Sequence, residues 1–177
     1  MNIDARRYVL FACMLLGTAA LCTPAAKTMP IGIVFNPSDS VPRGWYRVGR
    51  IDDVGSLRAD AIVLARLPAG AAALAAQRGY LPEGVPILKR IGAVAPQVVC
   101  ARERIVRVDG TVVATARTHD GALRPLPSWA QCRALAEGEL FLLSDTNPAS
   151  FDSRYFGPIA ASAVIGVAQP VWTWSSP

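Results

Sequence analysis

The sequence is a succession of short apolar runs with turn-forming residues between them. The clearest run spans 104–113, where two stretches rich in β-branched residues flank Asp109-Gly110. This residue pair is preferred in two-residue type I′ turns, so the segment predicts a β-hairpin. Further strands are predicted at 31–35, 45–48, 61–66, 87–91, 139–143 and 159–171. So many short strands predict a mainly β fold with few short helices.

Two helices are predicted between these strands. The first is an Ala-rich segment at 69–79, which Gly79 and Pro82 terminate. The second is a short helix at 128–135 that carries Cys132. A polar loop is expected over 144–158.

Length and composition limit the class of protein. The 177 residues are enough for one domain with an appendage. The apolar fraction of 52% and the charged fraction of 18% exclude a disordered or fibrous chain. The net charge is +5, but the 18 basic residues are spread along the chain, so no nucleic-acid partner is indicated.

An apolar stretch of 19 residues, 8–26, follows a pair of arginines near the N-terminus. Its length is close to the roughly 20 residues that a membrane-spanning helix needs. We expect the segment 1–27 to be a retained inner-membrane anchor whose arginine-rich end stays inside. The alternative is a secretory signal that is removed near Ala25. In both cases residues 28–177 are expected to form a periplasmic domain.

The four cysteines divide between the apolar segment and the exported domain. Cys100 and Cys132 are the pair in the exported domain, and two thiols in an oxidising compartment predict one disulfide. Two free buried thiols are the alternative. Neither cysteine has a second Cys or His close to it in the sequence, so no metal and no cofactor are expected.

Lys89 is the first candidate for chemistry, because it lies inside the apolar run 87–91. Burial lowers the pKa of a lysine and makes it usable as a general base. The alternative is a lysine on the solvent face of a half-buried strand. Arg90 is expected to point to the opposite face. The single histidine, His119, lies in a hydrophilic turn and is expected at the surface, which leaves Lys89 as the base for a serine nucleophile.

Two polar loops are the other candidates. In the first, Ser38 and Ser40 lie between two prolines, so a rigid turn could present Ser40 while Ser38 and the Ser40 amide face a developing oxyanion. In the second, Asp152 and Arg154 could form an ion pair. The alternative for each is an ordinary polar loop.

Together these three segments resemble the serine–lysine peptidases of the signal peptidase I family, most closely the conjugative-transfer signal peptidases of the TraF type. The matching motifs are Ser-Asp-Ser-Val-Pro at 38–42, Lys-Arg at 89–90, and Ser-Phe-Asp-Ser-Arg-Tyr-Phe-Gly at 150–157. Their order and spacing also fit the family. General signal peptidases have Met where Val41 stands here.

The resemblance implies roles for the first two motifs. Ser40 would be the nucleophile, Lys89 the general base, and Ser38 part of the oxyanion hole. The implied fold is the β-rich catalytic fold of signal peptidases and LexA-like proteins.

The third motif would supply supporting residues. Ser150 would orient Lys89, and an ion pair between Asp152 and Arg154 would hold the site together. The insertion subdomain of larger relatives would be reduced to about 98–135.

The implied function is processing of an exported pilin-type precursor for plasmid conjugal transfer, by cleavage with or without cyclisation. The implied partners are that precursor or a signal-peptide-bearing substrate, the inner membrane, and the conjugative secretion machinery. Two alternatives remain at this point: a general signal peptidase, and a non-catalytic periplasmic module of a secretion apparatus.

Overall fold

The computed structural model describes residues 32–51, 53–144 and 146–174, together with Met14. These residues are mainly β, which confirms the predicted fold class. The strands are β1 (Gly32–Asn36), β2 (Arg43–Gly49), β3 (Ile62–Ala65), β4 (Ile87–Val94), β5 (Val98–Arg102), β6 (Ile105–Val108), β7 (Thr111–Thr115), β8 (Cys132–Ala134), β9 (Glu139–Leu143), β10 (Ile159–Ala160) and β11 (Val164–Trp174). The helices are α1 (Ala69–Gln77) and α2 (Ser153–Phe156), with 3-10 turns at Val54–Ser56 and Ala161–Ala163.

The predicted anchor or signal segment, 1–27, lies outside the described residues except for Met14. Among the residues that are described, no helix has the length and apolar character needed to cross a membrane.

The strands form two antiparallel sheets. A seven-stranded sheet has the order β1-β2-β11-β3-β4-β9-β10, and a four-stranded sheet has the order β7-β6-β5-β8. The chain leaves the large sheet after β4, builds the four-stranded sheet, and returns as β9 beside β4. The small sheet is therefore an insertion between two neighbouring strands of the large one.

Strand β9 lies at the centre of the hydrophobic core. Its alternating side chains pack into two different clusters: Leu140 and Leu142 into one, Phe141 and Leu143 into another. The second cluster also contains residues of the small sheet, Val99 among them. Because successive side chains of a strand point to opposite faces, β9 packs into an apolar cluster on each side, and the cluster with Phe141 and Leu143 joins the two sheets.

The predicted hairpin and first helix are both present. Asp109 and Gly110 have φ values of +49° and +85°, as a type I′ turn requires, and β6 pairs with β7 across them. Helix α1 occupies the segment predicted at 69–79.

The helix predicted at 128–135 is wrong. Residues 132–134 form strand β8, which pairs with β5 so that Cys132 lies opposite Cys100. Backbone pairing with β5 outweighs the local helical preference of so short a segment. The polar loop after β9 also differs from the prediction, because it contains the single turn of helix α2.

Cys100 and Cys132 form a disulfide between these two paired strands. The bond closes a loop with a sequence separation of 32 residues. In the chain-entropy account, a loop of this length restricts the unfolded chain and stabilises the fold by about 3–4 kcal/mol.

Replacing both cysteines with alanine should therefore lower the free energy of unfolding of the protein by about 3–4 kcal/mol. Urea denaturation of the double variant measures this, and reduction of the wild-type protein should cause a similar loss. Equal midpoints for the wild-type and double-variant proteins would contradict the assignment.

Candidate active site

A cavity of about 280 Å³ brings together residues from all three motifs. Ser38 and Ser40 enter it from the loop after β1, Lys89 from β4, and Ser150 from the loop after β9. Ser40, Lys89 and Ser150 are buried in its wall. Residues far apart in the chain thus share one polar site.

Asn36 fixes the loop that carries the two serines. Its buried side-chain amide donates to the carbonyl oxygens of Ser38 at 2.9 Å, Val41 at 3.0 Å and Pro42 at 3.2 Å. Its Oδ1 accepts from the backbone N–H of Ser38 at 3.2 Å. Asn36 is a site residue that the sequence motifs did not predict, although asparagine at the start of a turn commonly bonds to the backbone that follows it.

The two serine hydroxyls contact each other, with 2.7 Å between Ser38 Oγ and Ser40 Oγ. Ser38 donates its own proton to Asn36 Oδ1 at 2.9 Å, so it accepts the proton of Ser40. The next residue, Val41, is fully buried in an apolar cluster and anchors the loop. The Ser40 hydroxyl is thereby held in one place at the cavity wall.

Lys89 is buried, not on a solvent face. Its Nζ donates a hydrogen bond to Ser150 Oγ. Burial lowers its pKa to about 8, with the Asp152 carboxylate raising that pKa and the Arg154 guanidinium lowering it. The neighbouring Arg90 instead donates to the carbonyl of Asp60 at 2.7 Å. Burial therefore makes the neutral form of Lys89 easier to reach near physiological pH than that of an exposed lysine.

Asp152 and Arg154 form a buried, two-pronged ion pair. Nε and Nη2 of Arg154 lie 2.7 Å from the two carboxylate oxygens of Asp152. The remaining donors of Arg154 reach three backbone carbonyls: Thr115 at 2.9 Å, Pro148 at 3.0 Å and Ser150 at 2.9 Å. Every lobe of the guanidinium is thus satisfied, as a buried charge requires.

The carboxylate of Asp152 also fixes the backbone on either side of it. One oxygen accepts the N–H of Arg154 at 3.2 Å and caps helix α2, and the other accepts the N–H of Ser144 at 3.1 Å. Ser153 Oγ accepts the N–H of Leu142 at 2.9 Å. The loop bearing Ser150 is therefore tied to the end of β9.

The rest of the cavity wall is largely apolar. The apolar residues of the wall include Leu67, Ala75, Leu81, Ile87, Leu126 and Phe151. His119 is exposed, as predicted, but it lies at the same cavity. Within the described ranges, no group of three or more His, Cys, Asp or Glu side chains is placed to hold a metal ion.

Nearly all of the chain matches a protein family. The family model described as signal peptidase, peptidase S26, covers residues 5–174. The chain belongs to this family.

Similar proteins identify the branch of the family to which the chain is related. A plasmid transfer protein TraF from Escherichia coli is 33% identical over 163 residues, covering 84% of this chain and 80% of that protein. A conjugal transfer protein TraF from Agrobacterium fabrum is 34% identical over 170 residues, covering 90% and 94%. The predicted resemblance to the TraF-type branch is confirmed.

Among solved structures, a signal peptidase I from Enterococcus faecalis is similar to part of the chain. It is 19% identical, with a TM-score of 0.39, and the similarity covers 63% of this chain and 96% of that one.

Lys89→Met should make the protein more stable at neutral pH. The unfolded lysine has a pKa of 10.5 and the folded one about 8, so folding disfavours the charged form by about 3 kcal/mol below pH 8. This cost fades between pH 8 and 10.5, so the stability gain of Lys89→Met should shrink over the same range. Urea denaturation at pH 7 and pH 9.5 measures it, and a less stable variant at pH 7 would contradict the burial argument.

Arg154→Met should have the opposite effect. It leaves the buried carboxylate of Asp152 without its partner, and such a loss costs about 3–5 kcal/mol. Arg133→Met is the control, because it breaks a half-exposed pair with Glu139, which costs about 1 kcal/mol or less. Equal losses in the two variants, measured by urea denaturation, would show that burial of the Arg154 pair adds nothing.

Proposed function

We propose that this protein is a serine endopeptidase that uses Ser40 as its nucleophile and Lys89 as its general base. The observation that carries the proposal is a lysine with a pKa of about 8, buried in the cavity that Ser40 also lines. A base works best when its pKa lies near the working pH. Membership in a peptidase family supports the same reaction class.

The chemistry follows from these side chains. The Ser40 hydroxyl turns from Ser38 to neutral Lys89, which takes its proton as Ser40 Oγ attacks a substrate carbonyl carbon. The Ser40 N–H binds the oxyanion that forms, together with the Ser38 hydroxyl once it turns from Asn36 Oδ1 to donate to the oxyanion. The lysine ammonium then gives its proton to the leaving amine, which leaves an acyl-enzyme. Water or a second amine releases the product.

The seven-stranded sheet offers a place for an extended substrate. Strand β4 pairs with β3 from Ile87 to Arg90, but with β9 only from Arg90 onward. The segment 87–89, which ends at Lys89, therefore lies beyond the β9 ladder. A substrate strand that added to this edge would bring its backbone to the catalytic residues.

The named relatives support a role in conjugal transfer. Proteins called plasmid transfer and conjugal transfer TraF are similar to this chain over most of its length. The resemblance of the three motifs to the TraF-type peptidases implies the substrate, and we propose that the protein processes an exported pilin-type precursor. It would act in the periplasm, tethered to the inner membrane by its N-terminal segment and close to the conjugative secretion machinery.

Cleavage should require both members of the dyad. Ser40→Ala and Lys89→Met should each lower the rate by a factor of at least about 10⁴, because the residues of such a dyad act as one unit. Intact-mass measurement of a co-expressed pilin precursor reports the cut, and a cyclic product lacks one water relative to a linear one. Ser162→Ala, at an exposed serine outside the cavity, is the control and should cleave normally.

A wild-type protein that leaves the precursor intact, together with Ser40→Ala cells that transfer plasmid normally, would instead establish a non-catalytic module. Shortening of many unrelated exported proteins would establish a general signal peptidase.

The pH dependence should follow Lys89. Since only the neutral lysine accepts a proton, kcat/KM should rise about tenfold per pH unit below pH 8 and level off above it. Initial rates on a purified precursor across pH 5–9 measure this. A flat profile over that range would rule out a base with this pKa.

A further inference from the structure

A loop from the inserted sheet forms one wall of the cavity. This strap loop, residues 117–126, runs between β7 and β8 and folds back on itself. Leu126 N–H donates to Thr118 O at 2.8 Å, and Asp120 N–H donates to Arg124 O at 3.0 Å. The strap-loop residues that line the cavity are Arg117, His119, Asp120, Gly121 and Leu126.

Asp120 stabilises the conformation of the strap loop and also binds Tyr80, which follows helix α1. Its side chain is only 6% exposed. Oδ1 accepts the N–H groups of Ala122 and Arg124, each at 2.9 Å, and Oδ2 accepts Arg124 Nε at 2.7 Å. Oδ2 also accepts the hydroxyl of Tyr80, a residue 40 positions earlier in the chain. The Tyr80 bond is the main cause of the lowered pKa of Asp120, so this carboxylate stays ionised.

The end of helix α1 determines where Tyr80 lies. Tyr80 N–H donates to Ala75 O at 2.9 Å and Gly79 N–H donates to Ala76 O at 3.1 Å, the two bonds of a Schellman motif. Gly79 has a φ of +72°, which glycine adopts without strain. The helix therefore ends in a fixed geometry that sets Tyr80 in the cavity wall.

Tyr80 also contacts the loop that carries Ser150. Its ring lies 5.5 Å from the ring of Phe151, and Phe151 stacks on Tyr155 at 5.6 Å. The hydroxyl of Tyr155 in turn accepts the N–H of Arg117 in the strap loop at 3.0 Å. A closed circuit of contacts therefore runs from the strap loop through Tyr80, Phe151 and Tyr155 and back to the strap loop.

We infer that Tyr80 is a specificity-determining residue, which limits the size of the substrate side chain that the cavity accepts, and that Asp120 positions it. The inference rests on the proposed peptidase function. Without a bond to another segment, the Tyr80 ring could move aside for a larger substrate side chain. The hydrogen bond from the Tyr80 hydroxyl to Asp120 prevents this movement, because it fixes the ring against both the strap loop and Phe151.

The test compares two synthetic peptides that contain the cleavage site of the pilin precursor and differ only before the scissile bond, Ala in one and Leu in the other. The ratio of their kcat/KM values should favour Ala in the wild type. Tyr80→Phe removes only the hydroxyl and should lower this ratio about tenfold, within the range set by one apolar side chain in a pocket. Asp120→Asn breaks the same bond and also weakens the ion pair with Arg124, so it should lower the ratio at least as far. The double variant should lose little more than Asp120→Asn alone, because both changes remove the Tyr80–Asp120 bond.

Glu139→Gln is the matched control. Glu139 also binds an arginine, Arg133, and a backbone N–H, that of Ala136, but it does not line the cavity. This variant should keep the wild-type ratio. An unchanged ratio in folded Tyr80→Phe and Asp120→Asn proteins would overturn the inference, and so would an equal shift in Glu139→Gln.

A binding measurement separates this inference from the proposed function. Calorimetry with Ser40→Ala measures the affinity of each peptide without cleavage, with and without Tyr80→Phe. If the wild type cleaves neither peptide but Tyr80→Phe still lowers the Ala-to-Leu affinity ratio, the proposed function fails and the inference stands. If the wild type cleaves and neither ratio moves, the inference fails alone.

Discussion

The ion pair between Asp152 and Arg154 is the interaction on which the site depends most. It is buried almost completely, and Arg154 bonds to backbone from the end of the inserted sheet and from the loop that carries Ser150. Asp152 bonds to the backbone after β9 and caps helix α2. Five backbone groups, one at the end of β7 and four within residues 144–154, therefore bond to one pair of opposite charges. Its geometry fixes where Ser150 lies, and Ser150 in turn holds the amine of Lys89.

The same burial imposes a cost on Lys89. Its ammonium loses solvation, which lowers the pKa, and the positive charge of Arg154 lowers it further, while Asp152 partly compensates. A fold optimised for stability alone would place an apolar residue there. A buried amine in the same cavity as the bonded hydroxyls of Ser38 and Ser40 suits reactivity better than stability.

The sequence predicted the features that depend on neighbouring residues. The Asp109-Gly110 turn needs positive φ at both positions, and local composition was enough to locate it. The features that the sequence did not predict depend on residues far away in the chain. The segment around Cys132 became a strand because β5 lies beside it, and the bond from Tyr80 to Asp120 spans 40 positions. The burial of Lys89 was also open in the sequence, because strand alternation alone does not say which face is covered.

The proposal that buried Lys89 is the general base is tested most directly by measuring the pKa of Lys89 in the intact protein. The chain contains only two lysines, Lys27 and Lys89, so carbon NMR of protein labelled at lysine Cε should show two titrating signals. Lys89→Met assigns them by removing one. We expect the missing signal to titrate near pH 8. Titration of that signal near pH 10.5, the ordinary value for a solvated lysine, would contradict it.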